Sequence, residues 1–500
     1  MCDSSYTDSV KLYAARRHEA LFSNNIPASD RPVVHLSSHI GWMNDPNGFS
    51  IYKGRYHLFY QYHPFDSVWG PMHWGHAVSN DLIHWEHLPA AIAPDERYDS
   101  DGCFSGSAIE LDDGRQLLFY TGLTKTGLKP DGTPEFHQVQ CIAYGDGVNY
   151  KKYEDNPVID SDQLPEGASP QDFRDPKIWM GEDGDFRCVL GSLDAERSGQ
   201  ILQYRSSDGI SWEYEGVLAS NHGRFGVMWE CPDTFALDGK QVLLVSPQDM
   251  LPVGNDFMSG NGTLALIGHL DDETGALVEE STQPIDYGID FYATQTLETA
   301  DGRRVMVAWM QNWDTTFVGG GRPWFGQMTL PRELSVRDGR LYQWPVREIE
   351  EARRNRVAYE GVLVQGLCEL DGVRGRCVDL SLTVRPQDAR DPYREFYIRF
   401  AQRGRYHSSI SFRTGDHFLK IKRKHSGLRR AVVKDRKCRL LSYDGILRLR
   451  IIIDRYSVEV FVGEGEQAMT MTIPTDPSFD EINFYAAGKA IMDVEKYDLV

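Results

Sequence analysis

The sequence predicts an all-β protein, a five-bladed β-propeller followed by a C-terminal β-sandwich, and three observations predict it. Residues 35 to 344 carry little helical periodicity; short β-branched and aromatic runs alternate there with glycine turns. Glycines that precede an apolar strand recur at Gly54, Gly114, Gly184, Gly239 and Gly302, at intervals of 60, 70, 55 and 63 residues. A second marker, Asp followed four residues later by an aromatic, recurs at Asp81…Trp85, Asp146…Tyr150 and Asp208…Trp212, at intervals of 65 and 62. Coincidence among common Asp-Gly turns accounts for one such marker but poorly for two of similar period. Five repeats of about four strands each make a propeller.

At 500 residues the chain exceeds what one hydrophobic core usually serves, so more than one domain is expected. Residues 1–34 read as an N-terminal helical extension, with a short amphipathic helix over Val10 to Phe22. Residues 35–344 form the predicted propeller, in which KGR at 53–55 followed by Tyr56 to Tyr60 is a turn and a strand. The segment 345–357 is rich in Glu and Arg and reads as a linking helix. From 358 to 500 short alternating strands return, among them RCVDLSL (376–382), FYIRF (396–400), ILRLRIII (446–453) and VEVFV (458–462). That pattern suits a β-sandwich. The basic run from Lys420 to Lys437 is read as solvated strand faces in preference to an anion site.

The 53 Lys and Arg against 73 Asp and Glu give a formal charge of −20. A field of that sign repels nucleic acid and anionic membranes, so neither is expected as a partner and a neutral small substrate fits better. Met1 to Asn24 holds no apolar run long enough for a signal-peptide core, and no stretch approaches a membrane span. The eight cysteines, Cys2, Cys103, Cys141, Cys188, Cys231, Cys368, Cys377 and Cys438, lie far apart without a CxxC pair. Reduced thiols in a cytoplasmic protein are therefore expected. His73 and His76, like His84 and His87, have an HxxH spacing that on strands sets each pair on opposite faces, poor geometry for a shared metal. No P-loop glycine pattern occurs. Neither metal nor cofactor is expected, and a homo-oligomer remains open.

The repeat also marks a site. Nine residues before the turn glycine stand Asp45 in the first repeat, Ser105 in the second, Asp175 in the third and Glu230 in the fourth. Equivalent positions in a propeller lie on a ring about its axis, so three carboxylates converge there. Like charges gathered in one funnel shift one another's pKa, a costly arrangement usually kept for chemistry. Cleaving a glycosidic bond with retention needs two carboxyl groups about 5 Å apart. One attacks the anomeric carbon; the other protonates the leaving oxygen and later activates water. Two aspartates and a glutamate supply these parts. A proline follows Asp45 and Asp175 and fixes the backbone, while Arg174 is placed to orient its carboxylate neighbour or a sugar hydroxyl. An aspartate before proline is usually a turn residue. The ring argument favours function.

The three carboxylates sit in WMNDPNG (42–48), FRDP (173–176) and WECPD (229–233). With FYQYHP (59–64), WGPMHWGHA (69–77), CFSGSAI (103–109), FRDPKIW (173–179) and DFYATQ (290–295), in this order, the sequence resembles glycoside hydrolase family 32, the invertase and β-fructofuranosidase family. The likeness spans nearly the whole first domain and reaches VEVFV in the second. The resemblance implies Asp45 as nucleophile, Glu230 as acid/base and Asp175 as a transition-state stabiliser that grips fructosyl hydroxyls. It also implies fructose-pocket positions at Trp42, Asn44, Gln61, Trp69, Phe104, Ser105 and Arg174, with Trp313 as an aromatic lining the pocket. The family fold, a propeller with a sandwich, agrees with the repeat count. The bland alternatives are that Trp69, Phe104 and Trp313 pack between blades and that Gln61 satisfies backbone groups at a blade end.

The resemblance implies a retaining exo-β-fructofuranosidase acting on sucrose and short fructo-oligosaccharides. A sucrose-6-phosphate hydrolase shares the chemistry and stays open from sequence alone. So does a fructan-binding lectin on the same scaffold, against which the three retained carboxylates argue.

Overall fold

The computed structural model describes residues 9–315, 321–428 and 433–500, and its first part is a five-bladed propeller. The innermost strands of the blades are Gly41–Tyr52, Gly102–Glu110, Phe173–Met180, Trp229–Leu237 and Tyr292–Glu298. All five turn glycines join the first and second strands of their blades, with φ of +75°, +79°, +84°, +76° and +80° in chain order. That left-handed backbone is open to glycine at no steric cost. A Cβ built on any of the five meets nothing within 4 Å, so conformation and not space demands glycine.

The second marker is an aspartate turn between the third and fourth strands. The carboxylate of Asp81 accepts the N–H of Ile83 and His84, that of Asp146 the N–H of Val148 and Asn149, and that of Asp208 the N–H of Ile210 and Ser211. Asp271 does the same for Glu273 and Thr274 in blade 4, where no aromatic follows to reveal it. The ring closes between blades 5 and 1. The two-residue strand Trp324–Phe325 pairs in parallel with Gly41–Trp42, and Met328 N donates to Leu36 O at 2.8 Å.

Val10–Phe22 is helical, capped by Ser9 Oγ, which accepts the N–H of Leu12 at 3.0 Å. Its buried face is Leu12, Ala15, Arg16 and Glu19, the spacing of one helical stripe. Arg16 donates to Ala90 O of blade 1 at 2.9 Å and to Asn149 Oδ1 of blade 2 at 2.8 Å, so the helix ties two blades together. No described helix is long and apolar enough to cross a membrane. Seven cysteines are unpaired, and Cys2 lies outside the described residues.

The linking segment is helical only over the 3-10 turn Arg347–Ala352, and a strand begins at Arg353. The β-branched Val357 and aromatic Tyr359 favour an extended backbone, and with Ala358 they pair with the last strand instead of continuing a helix. A ten-stranded sheet then folds on itself about Glu481–Leu499. That strand pairs with Arg353–Cys368 along one edge, and with Glu395–Arg403 and then Val378–Pro386 along the other. Phe396, Ile398, Ile410 and Phe412 of one half share a core with Leu380, Leu382, Ile451 and Val460 of the other, as in a sandwich.

The two parts meet across buried charge. His35 Nδ1 lies 2.8 Å from Asp454 Oδ2 and its Nε2 lies 2.9 Å from Glu459 Oε1. Arg332 Nε donates to Glu459 Oε2 at 2.9 Å and its Nη1 to Asp286 Oδ2 at 3.1 Å. The basic run contributes here against expectation: Arg423 is no solvated strand face but is buried, its Nη1 donating to Asp290 Oδ2 at 2.6 Å. It follows the strand Phe418–Lys422, whose end abuts the propeller; Lys424, Lys434 and Lys437 of the run are exposed, and the half-buried Lys420 pairs with Asp435 at 2.7 Å. Arg429 and Arg430 of that run lie outside the described residues.

Glu459→Ala leaves Arg332 and His35 buried without their shared carboxylate. The expected destabilisation is about 3–5 kcal/mol, because a broken buried pair costs more than the intact pair contributes. Thermal unfolding followed by circular dichroism checks it; an unchanged midpoint would mean the cluster carries no stability. Burial alone would lower the imidazole pKa of His35, but Asp454 and Glu459 hold it up to about 9. The stabilisation is therefore complete below about 6.5 and lost as pH rises through about 9.

Candidate active site

Every inner strand bulges by one residue at the same height in its blade, and the first carries a second bulge between Asn47 and Ser50. The extra residue falls between Met43 and Pro46, Phe104 and Gly106, Arg174 and Lys177, Glu230 and Asp233, and Tyr292 and Gln295. Such bulges break the strict alternation of a strand and re-aim side chains, here toward the propeller axis. In blades 3 to 5 they hold a non-glycine residue in the left-handed region: Asp175 at +67°, Cys231 at +49° and Ala293 at +56°. Each such residue stores about 1–3 kcal/mol of strain, of the kind found at functional sites. The sequence offset of nine from the turn glycine thus marks the bulge. Blades 1, 3 and 4 place Asp45, Asp175 and Glu230 there, blade 2 Ser105 and blade 5 Ala293.

Asp45, Asp175 and Glu230 line one cavity of about 380 Å³ together with Asn44, Gln61, Trp69, Phe104, Ser105, Arg174 and Trp313. Trp42 does not line it. It is buried behind, stacked on Phe325 with ring centroids 4.3 Å apart, and its Nε1 donates to Asn44 Oδ1 at 2.8 Å. Asn44 Nδ2 donates in turn to Asp45 Oδ1 at 3.0 Å, and Ser105 Oγ to Asp45 Oδ2 at 2.8 Å. Trp42 therefore acts at one remove, by fixing the amide that fixes the carboxylate. Gln61 Nε2 donates to Cys103 O at 2.9 Å and so joins blade 1 to blade 2 while lining the cavity.

Asp175 Oδ2 accepts the N–H of Cys231 at 2.9 Å, and Cys231 Sγ lies 3.7 Å from both Asp45 Oδ2 and Asp175 Oδ2. Glu230 is gripped at both oxygens. Arg174 Nε donates to Oε1 at 3.0 Å and Tyr292 OH to Oε2 at 2.7 Å. Arg174 Nη1 also reaches Gln138 Oε1 at 3.3 Å and Asp172 Oδ1 at 3.5 Å.

Burial, and then the charge of Glu230, push Asp45 up to about 6, against the hydrogen bonds of Asn44 and Ser105. Burial and Glu230 likewise raise Asp175 well above the usual carboxylate range, opposed by Arg174 and the N–H of Cys231. Burial works against the charge of Arg174, but Glu230, Asp175 and Asp172 more than restore it. Asp45 and Asp175 therefore hold a proton at higher pH than an ordinary aspartate does, and because the two interact in one cavity that proton is shared between them. An ionised and a protonated carboxyl in one cavity can attack an acetal carbon and protonate its leaving oxygen.

Phe136, Gln138, Gln171, Asp172 and Gln248 line the same cavity, and no sequence motif marks them. They lie on outer strands and connecting loops, where the repeat carries no signal. Tyr292 and Cys231 lie within the DFYATQ and WECPD runs, and a signal existed, since each flanks a bulge position. Phe104 and Trp313 pack on a cluster containing Trp42, Tyr292, Trp309 and Phe325, so they serve as wall and packing at once. Trp69, at 48% exposure, stands on the rim. Among the described residues no group of three His, Cys, Asp or Glu is arranged to hold a metal ion.

Residues 35–345 match the N-terminal domain of the glycosyl hydrolases family 32, and residues 348–499 match its C-terminal domain. The raffinose invertase of Escherichia coli is 38% identical over 467 residues, spanning 92% of this chain and 93% of the relative. The sucrose-6-phosphate hydrolase of Escherichia coli is 36% identical over 491 residues, spanning 96% and 97%. A solved β-fructofuranosidase of Bombyx mori in complex with sucrose superposes with a TM-score of 0.84 at 34% identity, covering 99% of each chain. With both halves matched and the carboxylate ring assembled, the chain belongs to glycosyl hydrolase family 32.

Proposed function

We propose that the protein is a retaining exo-β-fructofuranosidase that hydrolyses the β-fructosyl bond of sucrose and short, unphosphorylated fructo-oligosaccharides. Asp45, held by Asn44 and Ser105, attacks carbon 2 of the fructosyl unit. Glu230 protonates the departing oxygen and then, as carboxylate, activates water from the face that the leaving group vacated. Asp175 holds hydroxyls whose hydrogen bonds strengthen as oxocarbenium charge develops. In this reading residues 35–344 carry the chemistry, 345–357 connect and 358–500 buttress the propeller. The unpaired thiols support a cytoplasmic setting.

The charge of the cavity carries the choice of substrate. Asp45, Asp172, Asp175 and Glu230 share the cavity with Arg174, the one cation among the described lining residues, whose Nε and Nη1 already donate to Glu230 and Gln138. A phosphate dianion entering there meets a field of its own sign. The amides of Gln138, Gln171 and Gln248 and the rings of Phe136 and Trp69 suit the hydroxyls and apolar faces of a neutral sugar. The raffinose invertase relative agrees with this reading; the sucrose-6-phosphate hydrolase relative favours the phosphorylated substrate.

Initial rates on both sugars, with fructose release as the readout, test it. A kcat/KM at least about tenfold higher for sucrose than for sucrose 6-phosphate is expected, a difference of about 1.4 kcal/mol. Equal or reversed preference would overturn the substrate choice. Saccharide binding without fructose release would replace the enzyme by a lectin.

A further inference from the structure

Tyr292 sits on the inner strand of blade 5 just before the bulge, fully buried in the aromatic cluster beneath the cavity. Its hydroxyl has two acceptors, Glu230 Oε2 at 2.7 Å and the backbone oxygen of Ser246 at 2.9 Å. Both are fixed by one ladder, because Glu230 and Ser246 are direct partners on neighbouring strands of blade 4. The next residue of blade 5 is tied to the same place, with Ala293 N donating to Ser246 Oγ at 3.0 Å. The oxygen of Tyr292 is thus immobile, and only its hydrogen is free to turn.

We propose that Tyr292 is a positioning residue that serves both protonation states of Glu230 by turning one hydroxyl hydrogen between Glu230 Oε2 and the Ser246 carbonyl. The proposal rests on the acid/base reading of Glu230. Arg174 Nε occupies Oε1, which leaves Oε2 as the oxygen that carries the acid proton. While Glu230 is protonated, the hydrogen of Tyr292 points to Ser246 O and makes room for the carboxyl hydrogen. When that proton passes to the leaving oxygen, the hydrogen of Tyr292 turns onto Oε2 and stabilises the new carboxylate with a charge-assisted bond. When water gives its proton back to Glu230, the hydrogen of Tyr292 returns to Ser246 O. Tyr292 keeps its own proton throughout: burial, and then the charge of Glu230, raise it far above the ordinary phenol range. The other ionisable groups facing this pair are Arg174, Cys231, Asp45 and Asp175.

Tyr292→Phe keeps the ring and removes the switch. The expected fall in kcat on sucrose is about 10- to 100-fold with KM within about threefold, the size of a charge-assisted hydrogen bond made in the transition state. Two further readouts separate this from mere packing. The alkaline limb of kcat/KM against pH moves to higher pH, because the carboxylate has lost its donor. The defect in the first step also disappears for a fructoside whose leaving group needs no protonation. Should Tyr292→Phe fold poorly, 3-fluorotyrosine placed at 292 is nearly isosteric and a stronger donor, and it moves the alkaline limb downward. Wild-type kcat and pH profile in Tyr292→Phe, beside an inactive Glu230→Gln, would overturn this inference alone. Full activity of Glu230→Gln would instead overturn the acid/base reading on which it stands.

Discussion

Asp45→Ala is expected to lower kcat on sucrose by about 10,000-fold or more, on the order of 5 kcal/mol of barrier, while the protein keeps its fold. Removing the nucleophile removes the covalent route, and alanine offers nothing to replace it. Stability should hold because the ionised form of Asp45 is disfavoured in the folded protein: burial and then Glu230 push its pKa up to about 6. A carboxyl group raised in this way weakens the fold at neutral pH, and its removal offsets the lost bonds from Asn44 and Ser105. The wild-type enzyme carries the same signature in its pH profile. The carboxylate needed for attack is present above about 6 and lost as pH falls through it, about tenfold in kcat/KM per unit below. Proton NMR of the first-formed fructose, read before mutarotation, completes the test. Double displacement releases β-fructofuranose. Initial α-fructofuranose, or an Asp45→Ala enzyme with a tenth of wild-type activity, would end the nucleophile assignment.

The sequence carried the blades because each blade spends its special residues at fixed places. A left-handed hairpin turn accepts glycine, and a tight turn that must satisfy two N–H groups accepts aspartate, so both recur with the period of the fold. The ring of carboxylates was legible for the same reason, since the bulge stands at a constant distance from the turn glycine. What the sequence concealed has no such backbone demand. Gln138, Asp172 and Gln248 reach the cavity from outer strands and loops whose lengths differ from blade to blade. Motif position does not tell the wall of a pocket from its support, and only packing on Phe325 places Trp42 behind Asn44. A basic run on short strands looks solvated from its pattern, yet Arg423 meets a carboxylate of the neighbouring domain, Asp290. Contacts between distant segments are set by how the two domains dock, which local pattern does not encode.

Glu230→Ala should separate the two halves of the reaction. On sucrose the loss of general acid catalysis is expected to lower kcat about 100- to 10,000-fold, because the glucosyl oxygen is a poor leaving group unless protonated. An aryl β-fructofuranoside departs without that proton, so Asp45 should still be fructosylated at a rate near that of the wild-type enzyme. Water then lacks its base, and the fructosyl-enzyme accumulates. Intact-mass measurement should therefore show one added fructosyl unit during turnover of the aryl substrate, together with a burst of released phenol equal to the enzyme present. Azide needs no base and fits the space left by the missing carboxylate. It should restore turnover and give β-fructofuranosyl azide, with the configuration of the substrate kept. Arg174 and Tyr292 lose their shared acceptor in this variant, but each retains another, Gln138 Oε1 and Ser246 O. The fold should then survive, and the kinetic defect belongs to the chemistry. An α-configured azide product would mean direct displacement at carbon 2, and Glu230 would then be a base alone, with no covalent intermediate for it to release.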